Sequence, residues 1–182
     1  MIRRAAVSAV VVAAVGATLA AAGCTVDIAG KAPNLVAPPR DKFESVAKAM
    51  QPTCGTLDCH GQIGRNMRLY GIQGLRLDPM SNSLTDATSN DEYDASYWSI
   101  VALEPEAMTK VVESKGGDPE SLSLIRKARG REKHKGKTLM NPNDPNDHLD
   151  PCLMSWLASD VDTKTCDDAV NDARNPMVPP GP

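Results

Sequence analysis

The segment CGTLDCHG, residues 54–61, constrains this chain more than any other stretch, because it sets two thiols beside one imidazole. Cys54 and Cys59 are separated by four residues, and His60 follows the second cysteine directly. A disulfide between the two cysteines would close this loop and leave His60 at the surface. In the other arrangement, both thiols bond one prosthetic group and His60 is held against it. Either arrangement fixes the chain covalently at this point.

The first 23 residues have the layout of a secretory signal and are not expected to be part of the fold. Arg3 and Arg4 precede an apolar run of Ala, Val and Leu, and the stretch LAAAGC then ends at Cys24. An uncleaved anchor is the alternative, since the run is about as long as a membrane helix. The ending resembles the lipobox of bacterial lipoproteins, in which the cysteine is lipidated. By the same resemblance, Thr25 implies the outer membrane, with the protein facing the periplasm or the cell surface.

Charge and export restrict the classes of function. Without Arg3 and Arg4 the formal net charge changes from −3 to −5. We exclude nucleic-acid binding, because a mildly acidic chain with few basic clusters suits it poorly. Disulfides persist in exported proteins, and an even number of cysteines predicts pairing. If Cys24 is lipidated, four others remain: Cys54, Cys59, Cys152 and Cys166.

Cys152 and Cys166 are predicted to form a structural disulfide. They enclose about 15 residues, and closing such a loop contributes roughly 3 kcal/mol in the chain-entropy model. The bond would tie the last predicted helix to the segment CDDAVNDA. The alternative is a tetrahedral metal site that includes Cys54 and Cys59. Zinc prefers closer pairs such as C-x2-C, and the compartment is oxidising, so we favour the disulfide.

Within residues 42–174 helical periodicity recurs in several segments separated by long loops, and no clear alternating strand pattern is present. Residues 24–41 are rich in proline and predict a flexible tether, and 175–182 predict a disordered tail. The first helix is expected to be capped by Asp41 and ended by Pro52. Its apolar face comprises Phe43, Val46, Ala47 and Met50. Further helices are predicted at DEYDASYWSIVALE, EPEAMTKVVESKGG, DPESLSLIRKARG (capped by Asp118) and DPCLMSWLASDV.

The core must be built with few aromatic side chains. Aromatic residues make up 3% of the chain, with Phe43 the single phenylalanine. Leu, Val and Met could fill the core, disulfides could staple it, or a cofactor could supply apolar bulk. A haem would offer a large, flat apolar surface.

The C-x4-C-H spacing is a variant of a known attachment motif. A c-type haem is held by thioether bonds to two cysteines and by an iron–imidazole bond from the histidine that follows, with C-x-x-C-H as the usual spacing. The four residues 55–58 widen the loop but leave His60 directly after Cys59, where attachment brings its ring under the iron.

The order of short motifs resembles c-type cytochrome domains of the planctomycete kind and lipoproteins of myxobacterial type. The resemblance covers residues 42–160 and includes five matches in order. These are Cys59-His60-Gly61; GLRLD from Gly74 to Asp78; GDPE from Gly117 to Glu120, leading into SLSLIRKA; His134-Lys135-Gly136; and Leu153 with Trp156-Leu157.

This resemblance implies an all-α, small cytochrome c-like domain with long loops at 42–174. It implies haem c with its iron, covalently bound by Cys54 and Cys59, with His60 as the proximal ligand, and one-electron transfer by a membrane-tethered lipoprotein. The alternative is a haem-free envelope lipoprotein, stapled by two disulfides, that acts as an interaction module. A peroxidase ranks third, because it needs an open distal site.

No hydrolytic or acid–base machinery is visible. The chain has no G-x-S-x-G motif, phosphate loop or H-E-x-x-H. Glu104 and Glu106 could be paired carboxylates, but we interpret them as surface charge.

The second iron ligand is expected from the loop at 130–150, before the final predicted helix. His134 ranks first because it lies in the matched His-Lys-Gly stretch. Met140 is second, and His148 third. The basic segment at 125–137 is interpreted either as a solvated helix end or as a docking patch for an acidic redox partner.

Overall fold

The computed structural model describes residues 34–174. The predicted signal peptide, Cys24, the first part of the predicted tether and the predicted tail at 175–182 lie outside these residues. Within them the fold is all-α, as predicted, and the one extended pairing described is an isolated bridge between Tyr70 and Leu75. The helices are α1 Phe43–Cys54, α2 Asn90–Val101, α3 Pro105–Glu113, α4 Ser123–Ala128, α5 Leu149–Leu157 and α6 Thr163–Arg174, with a 3₁₀ turn at Pro119–Ser121. No helix of the described residues is long and apolar enough to cross a membrane.

Helix α1 buries the predicted apolar face but differs at both ends from the prediction. Lys42, not Asp41, occupies the N-cap position, and no side chain caps the helix there. The helix also continues through Pro52 to Cys54. Proline has no N–H, so it costs a helix one hydrogen bond. Pro52 lies close to the end of α1, and the Gly55 N–H beyond it still bonds the Gln51 carbonyl at 2.9 Å and closes the last turn. This extension carries Cys54 to the end of a rigid element.

Three of the six aromatic side chains meet at one point of the core. The ring of Phe43 lies 5.4 Å from that of Tyr97 and 5.2 Å from that of Trp156, between centroids. Leu, Val, Met and Ala side chains form the rest of the buried cluster. A low aromatic content is therefore sufficient to close this core.

The folded part begins before the predicted boundary at residue 42. The Tyr97 hydroxyl donates to the Pro38 carbonyl at 2.8 Å, and the Trp156 indole N–H donates to the Pro39 carbonyl at 3.3 Å. The Val36 N–H donates to the Thr109 hydroxyl at 2.9 Å. The prediction of a tether was therefore wrong for residues 36–40, because proline carbonyls accept hydrogen bonds from core side chains.

The helix predicted at DPESLSLIRKARG is broken in two. Leu122 is extended (φ −84°, ψ 128°) between the 3₁₀ turn and α4, and Asp118 has a left-handed conformation with no capping bond. Glu104 from the preceding helix junction takes the capping role, since its Oε2 accepts from the Ser123 N–H at 2.6 Å. The predicted single helix and its Asp118 cap were wrong because this long-range contact replaces local capping.

The C-terminal part is held by the predicted disulfide. Cys152 on α5 is bonded to Cys166 on α6, and both are fully buried. Two of the four thiols of the alternative zinc site are thereby consumed, so that alternative is wrong. Helix α6, which packs on α1 and α5, was not predicted, because it is polar and buries only Cys166 and Ala169.

The matched GLRLD stretch supplies a buried ion pair. Arg76 Nε lies 2.7 Å from Glu92 Oε1, and Nη2 lies 3.0 Å from Oε2, with both side chains almost inaccessible. The guanidinium also donates to three carbonyls of the loop at 82–87. Arg76 therefore ties the long loop before α2 to that helix.

Candidate cofactor site

A cavity of about 960 Å³ opens beside the end of α1. Its walls come from the loop at 58–67, from α4 and from the loop at 133–139. Cys54, Cys59, His60 and His134 all line it. Its size lies at the upper end of the range of about 300–1,000 Å³ that ligand and cofactor pockets occupy.

Backbone hydrogen bonds curl the loop after α1 so that its reactive side chains share one wall. The Cys54 carbonyl accepts from the His60 N–H at 2.9 Å. The Thr56 carbonyl accepts from the N–H groups of both Cys59 and Gly61, each at 2.9 Å. The widened loop thus forms a compact double turn.

Close backbone packing explains two glycines of the matched motifs. A Cβ at Gly61 would lie 1.9 Å from the Gly55 carbonyl oxygen, and one at Gly74 would lie 2.0 Å from the same oxygen. Only residues without a Cβ allow the three backbones to approach so closely. Gly61 and Gly74 therefore let the loop of the two cysteines pack closely against the segment around residue 74.

The two thiols are free and differ in environment. The predicted alternative, a Cys54–Cys59 disulfide, is not formed. Burial, aided by the nearby Cys59 thiol, raises the pKa of Cys54 to about 12. Cys54 therefore stays a neutral thiol at physiological pH. Cys59 is partly exposed towards the cavity.

His60 is held with one ring nitrogen available to the cavity. Its Nδ1 lies 3.0 Å from the Met67 carbonyl oxygen, and because that oxygen can only accept, Nδ1 carries the proton. Burial lowers the pKa of His60, and although the Met67 hydrogen bond opposes this, the charges of His134, Arg65 and Lys127 add to it. The ring is therefore neutral with Nε2 unprotonated, the form in which imidazole binds metals.

His134 lies opposite His60. The ring centroids are 6.0 Å apart, and the ring planes lie within 21° of parallel. A Cβ at Gly136 would lie 2.9 Å from the His134 Cε1 atom, so this glycine leaves room for the ring. The matched His-Lys-Gly stretch is thus the second wall of the same cavity.

The other two candidates for the second ligand lie elsewhere. Met140 is buried at the edge of a separate, smaller cavity of about 390 Å³, with its N–H bonded to the Ala128 carbonyl. His148 pairs with Asp172, with 2.7 Å between Nδ1 and Oδ2. Neither side chain lines the cavity of Cys54, Cys59 and His60.

The donor set fits a c-type haem better than a bare ion. No group of three His, Cys, Asp or Glu side chains in residues 34–174 is arranged to hold a metal, whereas zinc sites use three or four protein ligands. His60 and His134 bring two imidazoles to 6.0 Å, between ring centroids, and two free thiols line the same cavity. A c-type haem would take its thioether bonds from two such thiols and an iron–nitrogen bond from such an imidazole.

The basic segment divides into paired and unpaired charges. Arg126 and Lys127 contact Glu132, while Arg129 forms a buried, two-point pair with Asp150 at 2.7 and 2.8 Å. Within the described part of the chain, three lysines of the segment have no acidic partner. They are Lys133, Lys135 and Lys137, and the first two line the cavity beside His134.

Arg65 and Met67 are site residues that sequence reasoning missed. Met67 acts through its backbone carbonyl, which no residue pattern reveals. Arg65 could have been found from the sequence, because it is a basic residue shortly after the Cys-His pair.

The chain matches no protein-family model, no curated protein and no solved structure. Assignment of a function therefore depends on the cavity and its residues.

Proposed function

We propose that this protein is a single-electron carrier that would bind a c-type haem through Cys54 and Cys59, with His60 and His134 holding the iron. The observation that supports this most directly is the pair of facing imidazoles beside two free thiols in one cavity. When bound, the haem iron supplies reversible one-electron oxidation and reduction.

Each residue has a distinct part. His60 presents a neutral Nε2 because the Met67 carbonyl holds its Nδ1 proton. His134 would also bind the iron, which disfavours a peroxidase, since that activity needs an open position at the metal. Two imidazole ligands give a lower reduction potential than a Met/His pair. The lysines near the cavity would raise the reduction potential, because positive charge favours the reduced state.

The proposed partner is an acidic redox protein. Lys133, Lys135 and Lys137 form an unpaired positive surface in a chain of negative net charge, and complementary charge speeds encounter. The sequence favours a lipid anchor at Cys24. Such an anchor would hold the domain at the bacterial cell envelope, on the outer membrane, where it would face the periplasm or the cell surface.

Absorption spectroscopy of the mature protein tests the proposal, with expression in a host that carries out cytochrome c maturation. A Soret band that survives acid–acetone extraction is the expected result. The variant Cys54→Ser/Cys59→Ser should lose the extraction-resistant band. As the control, Cys152→Ser/Cys166→Ser should keep it, since that disulfide lies away from the cavity. A colourless wild-type protein from this host would contradict the proposal and favour the haem-free interaction module.

A further inference from the structure

The widened loop between Cys54 and Cys59 leaves three consecutive carbonyls without a backbone partner. In the described residues, no backbone N–H bonds the carbonyl oxygens of Leu57, Asp58 or Cys59. Carbonyls bonded only to water would let this loop change conformation at little cost, because exposed segments with few internal bonds open most readily.

Two side chains from the following turn bond all three carbonyls. Gln62 Nε2 donates to the Leu57 carbonyl at 2.9 Å and to the Cys59 carbonyl at 3.5 Å. Arg65 Nε donates to the Cys59 carbonyl at 2.9 Å, and its Nη2 donates to the Asp58 carbonyl at 3.3 Å. The Arg65 bonds are charge-assisted and therefore the stronger of the two sets.

Arg65 also belongs to the cavity itself. Its side chain lines the wall that holds Cys59 and His60. The guanidinium therefore connects the backbone of the widened loop to the surface that faces the cofactor.

We propose that Arg65 is a positioning residue for attachment at Cys59: it fixes the two peptide groups before His60 so that the Cys59 thiol faces the cavity. This inference rests on the proposed function, since the group attached is the haem. In attachment, the Cys59 S–H adds across a vinyl C=C, the sulfur bonding one carbon and the hydrogen the other, so no oxidant is needed. A lysine cannot replace Arg65, because only the planar fork bonds both carbonyls at once.

The first test does not require haem. The full chain, made in a host without cytochrome c maturation, is treated with iodoacetamide, and alkylation of each cysteine is followed by peptide mass spectrometry. Alkylation of Cys59 is expected to be about tenfold faster in both Arg65→Gln and Arg65→Lys. The control is Arg68→Gln, because the Arg68 side chain makes no hydrogen bond or ion pair within residues 34–174. Wild-type rates at Cys59 in both Arg65 variants, with native circular dichroism, would overturn the proposal.

The second test measures attachment after maturation. Arg65→Gln and Arg65→Lys should yield protein with a single thioether, at Cys54, seen by peptide mass and by a shifted α band of the alkaline pyridine complex. Arg68→Gln should retain two thioethers. Two thioethers in Arg65→Lys would show that a positive charge alone is sufficient. That result would overturn the proposal that the guanidinium must bond both carbonyls. If the wild type binds no haem, the proposed function fails, while the alkylation rates still decide the role of Arg65.

Discussion

The imidazole of His134 faces that of His60 across one cavity, although the two residues belong to loops far apart in the chain. His60 follows α1 directly, whereas His134 lies between α4 and α5. Because these two loops meet, His134 lines the cavity of His60, whereas Met140 and His148 do not. We therefore expect His134 to be the second iron ligand.

His134→Ala is expected to convert a low-spin oxidised protein into a high-spin one, because the iron loses its second imidazole. Met140→Ala should leave the spin state unchanged while lowering the free energy of unfolding by about 2–5 kcal/mol, since it empties a buried site. His148→Ala is the control: it should leave the spin state unchanged and lower the free energy of unfolding by no more than about 1 kcal/mol, since it removes one partly exposed contact with Asp172. Visible spectra and urea unfolding measure both quantities. A low-spin spectrum in His134→Ala, together with loss of a sulfur-to-iron band in Met140→Ala, would identify Met140 as the ligand instead.

The Arg76–Glu92 pair should make stability depend on pH. Burial alone would raise the pKa of Glu92, but hydrogen bonds from Arg76, Ser89 and Leu77 outweigh it, and the pKa is lowered. A carboxyl with a lowered folded-state pKa stabilises the fold above its unfolded pKa of about 4.3, and this contribution is lost as the pH falls through the folded-state value. Urea midpoints of the wild type should therefore fall on acidification below about pH 5, with a smaller fall in Glu92→Gln.

Removing one member of this pair should be more costly than removing both. Arg76→Met leaves a buried carboxylate unpaired and should cost about 3–5 kcal/mol at pH 7. Arg76→Met/Glu92→Leu should recover only part of that loss, because the bonds from Arg76 to the loop carbonyls and from Ser89 and Leu77 to Glu92 are also lost. Glu106→Gln, at an exposed position, is the control and should have little effect. Equal destabilisation by the single and double variants would show that the two side chains contribute through their other hydrogen bonds and packing, and not through the charge left unpaired.

The lysines beside His134 should govern encounter with anions. The oxidation rate by ferricyanide, an anionic oxidant, should fall as ionic strength rises, because salt screens the attraction. Lys133→Glu/Lys135→Glu should lower the rate about tenfold at low salt. Lys42→Glu/Lys110→Glu makes the same change of charge at exposed positions elsewhere and should have a smaller effect. A rate insensitive to both salt and the Lys133/Lys135 substitutions would rule out electrostatic docking here.

Cys24→Ser should abolish lipidation and leave an uncleaved or soluble protein. Stable anchoring needs more than one acyl chain, so the loss of the modified cysteine should release the domain from membranes. Fractionation and electrophoretic mobility measure this, and Thr25→Ser is the matched control. An unchanged membrane fraction with unchanged mobility would contradict the lipoprotein prediction.

Local pattern was sufficient for much of the fold. The apolar face of α1 and the buried Leu153 and Trp156 of α5 follow from helical spacing, which depends only on neighbouring residues. The all-α class follows from the same periodicity, and the Cys152–Cys166 bond follows from cysteine number and loop length. The sequence alone also predicted Cys54, Cys59 and His60 as a unit, because their spacing is a local property, and the three residues line one cavity.

Tertiary contacts decided the rest. Helix α6 is too polar to be recognised alone, and it is helical because Cys166 and Ala169 are buried against other helices. The break at Leu122 occurs because Glu104, from another element, caps the Ser123 N–H. His134 rather than Met140 reaches the cavity for the same reason: which loop residue meets His60 depends on how α4 and α5 pack, and packing is a property of distant residues brought together.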